Sequence, residues 1–117
     1  MITLLGEPKS TQHCYKYTCR GGFASSYMSK ECKALKEDYQ WQAKTQWRGA
    51  PLAKAVGVTA TFFFGTKRRQ DIDNFNKLWM DALSGIVWHD DSQISILNIV
   101  KSYDKAKPRI ELEVVKL

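Results

Sequence analysis

The run Val56-Gly57-Val58-Thr59-Ala60-Thr61-Phe62-Phe63-Phe64 is the clearest strand pattern in the chain, and the other elements can be assigned around it. Every second residue from Val56 to Phe64 is apolar, and small or polar residues stand between most of them. Side chains of a strand alternate between its two faces, so this period of two predicts a strand with one face in the core. Gly65 ends the pattern, and three cations follow almost at once.

Shorter patterns on both sides of this strand predict a single domain over residues 1–117. The other expected elements are a strand at 2–5, a loop or irregular hairpin at 9–26, a helix that starts after Ser26 or Ser29 and ends before Gly49, a helix over roughly 72–84, and strands at 94–103 and 110–114. The strand at 94–103 is apolar on both faces, so we expect it to be central and to pair with the last strand as a hairpin. The predicted fold class is α+β, with a mixed sheet, both helices on one face and the order β-α-β-α-β-β.

The charge of the chain favours a polyanionic partner such as nucleic acid, because the net charge is +6 and the pI is about 9.3. Residues 1–66 contain nine Lys or Arg and four Asp or Glu, whereas residues 67–117 contain nine and eight. The second half therefore carries most of the acid. An acid-rich region on a basic protein indicates chemistry beyond simple DNA binding.

Cys14, Cys19 and Cys32 form no paired CxxC motif, and only His13 lies close enough in sequence to serve as a fourth zinc ligand. We therefore expect reduced thiols. The apolar runs are too short for a signal peptide or a membrane span. These features predict a cytoplasmic protein with no membrane partner and no small-molecule cofactor.

The candidate chemistry lies in two acidic groups that follow the strand at 56–64. Asp71 and Asp73 stand where its exit loop enters the second predicted helix, where they could cap that helix or bind a metal ion. Lys77, one turn after Asp73, could form a helical salt bridge or lie beside a phosphate. Asp91 could belong to an ordinary turn, or could meet the other two carboxylates if the strands at 56–64 and 94–103 are neighbours. Three converging carboxylates and a nearby lysine suit Mg²⁺ and phosphodiester chemistry.

These residues carry a resemblance to a known family. The run Arg68-Arg69-Gln70-Asp71-Ile72-Asp73-Asn74-Phe75-Asn76-Lys77, followed by Asp81-Ala82-Leu83 and Trp88-His89-Asp90-Asp91, resembles the RusA family of Holliday junction resolvases. The resemblance implies a homodimeric crossover junction endodeoxyribonuclease that binds four-way DNA and cuts two opposing strands symmetrically, in recombination and repair. It implies Mg²⁺, for which Mn²⁺ substitutes, and a bacterial, phage or prophage context. Position by position, it implies that Asp71, Asp73 and Asp91 are catalytic metal ligands and that Lys77 is the essential lysine.

Other residues could contact DNA, and two other functions stay open. The resemblance implies a DNA contact at Arg69, and the remaining candidate cations are Lys67, Arg68, Lys9, Lys16 and Arg20. Trp88 could stack on bases or pack at a dimer interface, and His89 could act as a base or lie in an exposed turn. The chain could instead be a non-catalytic DNA-binding or architectural module, or a nuclease for other branched DNA such as flaps and forks.

Overall fold

A computed structural model describes residues 1–10, 14–20, 23–67 and 75–117. These residues form β1 (Ile2–Leu5), β2 (Tyr15–Arg20), β3 (Phe23–Met28), α1 (Lys30–Gln46), β4 (Val56–Phe64), α2 (Asn76–Leu83), β5 (Ile94–Tyr103) and β6 (Arg109–Lys116). A short 3-10 helix, Asp91–Gln93, lies directly before β5. The elements of the main sheet and the two helices follow the predicted order, and the pair β2–β3 is additional.

The main sheet has the strand order β1-β6-β4-β5 and is mixed, as predicted. β4 runs parallel to β5 and antiparallel to β6, and β6 is antiparallel to β1. The predicted alternation of β4 is confirmed, since Val56, Val58, Ala60, Phe62 and Phe64 are all buried. They form one core with the buried side chains of both helices. The fold is therefore a sheet with its helices on one face.

Helix α1 is fixed against the outer edge of β1. Ser29 caps the helix, because its hydroxyl accepts a hydrogen bond from the backbone N–H of Cys32 at 3.3 Å. Near the other end, the Gln46 amide accepts from Thr3 N–H at 2.7 Å and donates to the Thr3 carbonyl at 2.7 Å. Gln42 makes the same pair of bonds to Leu5, at 2.6 and 3.3 Å. Two glutamine side chains thus occupy the backbone groups that an additional strand would use.

The segment expected to be a loop or irregular hairpin contains a regular hairpin. β2 and β3 pair antiparallel from Tyr15 opposite Met28 to Arg20 opposite Phe23, in a sheet separate from the main one. At its base, Ser29 N–H donates to the Cys14 carbonyl at 2.8 Å, and Cys14 forms a disulfide with Cys32 in the first turn of α1. The expectation of reduced thiols is therefore wrong for these two cysteines. Their separation of 18 residues gives no sign of the pairing, which depends on how the hairpin returns to the helix.

Two predictions about the last strands are also wrong. β5 lies at the edge of the sheet rather than in its centre, and β6 pairs with β4 and β1 rather than with β5. The connection at 104–108 passes over the end of β4, where Asp104 N–H donates to the Phe64 carbonyl at 2.9 Å. β6 consequently lies under the helices, where Ile110 and Leu112 become buried. An outer hairpin strand would not bury these side chains, which explains the observed placement.

Candidate active site

Helix α2 carries the described part of the candidate site. It begins at Asn76, whereas the sequence predicted a start near 72, and residues 68–74 lie outside the described ranges. Its buried side chains are Leu78, Trp79, Ala82 and Leu83, which form an apolar stripe along one side of the helix. The helix ends at Ser84-Gly85 as predicted, and Gly85 has a φ of +89°, which favours glycine. With the apolar stripe in the core, the opposite side carries Lys77, which is exposed, and Asp81, which is half-buried.

The connection between α2 and β5 is held by hydrogen bonds on both sides of Asp91. Trp88 is fully buried, and its indole N–H donates to the Ser84 hydroxyl at 3.2 Å. After Asp91, the Gln93 amide donates to the carbonyls of Leu52 and Lys54 at 2.8 and 2.9 Å. The segment therefore has a defined position relative to the start of β4. The possibility that Trp88 stacks on bases is wrong, because its ring is inside the core.

The adjacent carboxyl groups of Asp90 and Asp91 have different environments. Ser92 donates a hydrogen bond of 2.6 Å to Asp90, and this bond lowers the pKa of Asp90. Partial burial raises the pKa of Asp91, and the negative charges of Asp90 and Asp81 raise it further. Lys77 acts in the opposite direction and lowers the pKa of Asp91. Asp90 thus stabilises the local turn through Ser92, whereas the charges of Asp81 and Lys77 on α2 act on Asp91.

Lys77 and Asp81 of α2 lie close enough to Asp91 for their charges to shift its pKa. Asp81 was quoted in the family-like motif but was not predicted to belong to the site. Its position four residues after Lys77, on the same helical face, is the signal that could have identified it. The predicted residues Arg68, Arg69, Asp71 and Asp73 lie outside the described ranges. Within the described ranges, no three Asp, Glu, His or Cys side chains are grouped as a metal site.

The pairing of β4 with β5, which was expected to bring Asp91 to Asp71 and Asp73, does not by itself place Asp91 beside the chain that leaves β4. β4 and β5 are neighbours, but they run parallel, so Ile94 pairs with Val56 and Tyr103 pairs with Phe64. Asp91 therefore lies beside the beginning of β4, whereas the chain leaves β4 at the other end, roughly 25 Å away for a strand of this length. Helix α2, rather than the pairing of the two strands, accounts for the proximity of Lys77 and Asp91.

Among the described cations predicted to contact DNA, Lys67 lies at the end of β4 that is far from Asp91. Lys67 is exposed just past β4, and its ammonium lies 5.2 Å from the centre of the Tyr103 ring. The ammonium of Lys101 similarly lies 5.8 Å from the centre of the Phe64 ring. A shallow groove of about 330 Å³ is lined by Phe64, Thr66, Lys67, Lys101, Ser102 and Tyr103. Among the other candidates, Lys9 is exposed after β1, and Lys16 and Arg20 lie in β2.

A comparison with protein families identifies the chain. The family model described as endodeoxyribonuclease RusA matches residues 6–115, which is nearly the whole sequence. The chain belongs to the RusA family. Membership in the RusA family makes it a DNA-binding endonuclease and hydrolase with a role in Holliday junction resolution and recombination. No curated protein matches the sequence. Within the described ranges, no helix is long and apolar enough to span a membrane.

RusA nucleases generally use a divalent metal ion, and the environment of Asp91 is compatible with one. The neighbouring charges of Asp90 and Asp81 disfavour the ionised form of Asp91. A divalent cation would offset this repulsion, and carboxylate oxygens are the ligands that Mg²⁺ prefers. Among the three predicted ligands, Asp91 is the one within the described ranges.

Proposed function

We propose that this RusA-family protein is a Mg²⁺-dependent homodimer that resolves four-way DNA junctions by cutting two opposing strands symmetrically. The observation that supports this proposal best is the grouping of Lys77 and Asp91, two residues of the family-like motif, across the gap between α2 and β5. A metal-dependent nuclease uses carboxylate ligands for the ion and a cation beside the scissile phosphate, and this grouping offers one of each. A non-catalytic DNA-binding module would have no need for Lys77 and Asp91 to lie close together.

In this proposal, Asp71, Asp73 and Asp91 hold the metal ion, and Mn²⁺ can replace Mg²⁺. The bound ion supplies a Lewis acid for the scissile phosphate and a source of nucleophile at neutral pH. Asp91 contributes a carboxylate that is held in place by the hydrogen bonds of Gln93 and by the buried Trp88. Asp90 supports the turn through Ser92 and is not a ligand.

Lys77 places a positive charge beside the reacting phosphate. Its ammonium group can donate to a phosphate oxygen and stabilise the negative charge that develops during hydrolysis. Asp81, one helical turn away on the same face, carries the opposite charge and can orient the Lys77 side chain. The pair therefore combines a charged donor with a group that orients it.

The remaining cations hold the arms of the junction. Lys67 and Lys101 border the groove at the far end of β4 and β5, and Arg68 and Arg69 follow Lys67 in sequence. Lys9, Lys16 and Arg20 would contact a second arm from the region of the hairpin. In a homodimer, the two-fold axis would place two sites on the two-fold symmetric junction, which accounts for paired cuts.

The decisive experiment uses a labelled synthetic four-way junction with wild-type protein and with Asp73→Asn, in Mg²⁺ and in Mn²⁺. We expect paired cuts by the wild type and no cuts by Asp73→Asn, which should still bind the junction. Asp90→Asn is the matched control and should retain most of the cleavage. Intact strands with folded wild-type protein in both metals would refute the nuclease, and normal cleavage by Asp73→Asn would refute the ligand assignment. If flaps and forks are cut as well as junctions, the proposed activity would be cleavage of branched DNA in general rather than junction resolution.

A further inference from the structure

The two edges of the main sheet differ in a way that points to a partner. At the β1 edge, Gln42 and Gln46 fill the backbone hydrogen-bonding positions of Thr3 and Leu5. At the opposite edge, β5 pairs with β4 alone within the described part of the chain. One edge is thus closed by side chains of the same molecule, whereas the other presents a row of backbone donors and acceptors that another strand can use.

The composition of β5 is unusual for an exposed edge. Its ten residues contain one charged side chain, Lys101, and neither proline nor glycine. Soluble proteins ordinarily protect such an edge with charges, proline or a bulge. Apolar side chains of β5 are instead exposed on both faces: Ile96 is 50% exposed, Val100 46%, Leu97 37% and Tyr103 41%. A strand added at this edge would cover both faces at once.

The open face of the sheet extends this apolar surface inward. In β4, Gly57 has no side chain, and a methyl group there would lie 3.2 Å from Val115 and 3.7 Å from Ile96. Because of this gap, Ile96 of β5 and Val115 of β6 approach each other across β4, although Val115 remains 56% exposed. The apolar surface is therefore continuous from the sheet interior to the edge, which favours an interface with another protein over exposure to water.

We propose that β5 pairs antiparallel with β5 of a second copy of this chain, about a two-fold axis at Asn98. This inference rests on the homodimer of the proposed function and specifies its surface. About that axis, Ile96 would face Val100 of the second copy, and Leu97 would face Ile99, so apolar residues meet on each face. Lys101 would face Ser95, whereas a parallel in-register pair would place Lys101 against Lys101. The strand is therefore complementary to itself in the antiparallel arrangement, as a two-fold interface requires.

Two charge variants test the surface. Val100→Lys should weaken self-association at least about tenfold, because the new charge would lie at the interface opposite Ile96. Leu5→Lys is the matched control, since Leu5 is a similarly exposed apolar residue but lies in β1, at the opposite edge of the main sheet. Light scattering after size-exclusion chromatography, over a range of concentrations, measures the association. Circular dichroism verifies that both variants fold.

A cross-linking pair tests the axis, in a Cys19→Ser background so that the added cysteine is the reactive one. Under mild oxidation, Asn98→Cys should form a covalent dimer, because residues opposite each other in an antiparallel pair bring their Cβ atoms to about 5 Å. Ile96→Cys should not cross-link with itself, because its neighbour would be Val100. Adding Val100→Cys to Ile96→Cys should restore the covalent dimer.

The outcomes separate this inference from the proposed function. A wild-type protein that stays monomeric but cuts junctions would refute the interface and leave the nuclease intact. A dimer that is insensitive to Val100→Lys and is not cross-linked by Asn98→Cys would refute the surface and leave the dimer. A dimer that behaves as expected at β5 but cuts no branched DNA would refute the proposed function and support the interface.

Discussion

At the scale of single residues, Asp91 and Lys77 show how sequence position and environment combine. Neither residue is unusual alone, since a turn aspartate and a helical lysine are common. Together they are distinctive, because Asp91 has a raised pKa through burial and neighbouring acids while Lys77 partly offsets that effect. The sequence could predict this pair through the family-like motif. Asp81 was harder to identify, because the spacing of four residues from Lys77 that marks it is frequent on any exposed helix.

Replacing Lys77 separates chemistry from binding. We expect Lys77→Met to lower the rate of junction cleavage by about 10²–10³, the usual effect of removing one donor that stabilises developing charge. The dissociation constant for the junction should change by less than about tenfold, because one phosphate contact contributes little to the total. Single-turnover cleavage and fluorescence anisotropy measure the two quantities. Lys44→Met, on the exposed side of α1, is the control and should alter neither. Equal losses of binding and cleavage would show that Lys77 only holds DNA.

At the scale of elements, the strand at 56–64 was predictable and the position of β5 was not. Alternation in β4 directly reports one buried face, and its limits match the prediction from Val56 to Phe64. In β5, apolar residues on both faces indicate that both faces avoid water, but they do not say which strand or chain covers them. A central strand and an edge strand at an interface share this pattern. The Cys14–Cys32 bond was unpredictable for a related reason, since it depends on the path of the β2–β3 hairpin.

The two glutamines on α1 should contribute to stability through β1. Replacing Gln42 or Gln46 by alanine removes two hydrogen bonds to the β1 backbone, each worth about 0.5–1.5 kcal/mol. We expect each variant to lower the free energy of unfolding by about 1–2 kcal/mol, measured by urea denaturation. Gln40→Ala on the same helix is the matched control and should change it by less than about 0.5 kcal/mol. Equal decreases in the free energy of unfolding at the three positions would mean that helix propensity, rather than the contact with β1, causes the decrease.

At the scale of the whole molecule, charge and topology set how the protein would hold a junction. The net charge of +6 favours DNA. The parallel pairing of β4 and β5 keeps Lys67 and Lys101 at one end and Asp91 at the other. The sequence left open whether these strands are neighbours, and the structure shows that they pair. The sequence placed the cations and acids in one cluster because they are close along the chain, whereas the length of β4 separates Lys67 from Asp91 in space.

The contribution of these cations can be measured through salt dependence. Junction affinity should fall steeply as salt rises, because each neutralised phosphate contributes a slope of about −0.9 on a double logarithmic plot. Lys67→Ala should reduce the magnitude of that slope by about one. Lys33→Ala, on the exposed side of α1, is the control and should leave the slope unchanged. A slope that responds equally to both substitutions would indicate diffuse attraction rather than a defined contact at the groove.

The glutamine-covered edge of β1 has a consequence for the size of the assembly. A molecule with two open strand edges can add copies without limit, and the product is a fibre. Here α1 covers the β1 edge of the main sheet, so, among the described residues, the proposed pairing would use the open β5 edge of that sheet and growth would end at two chains. Removing both Gln42 and Gln46 would reopen the far end of the sheet. Helix α1, which anchors β1, thus also prevents further chains from adding to the β1 edge.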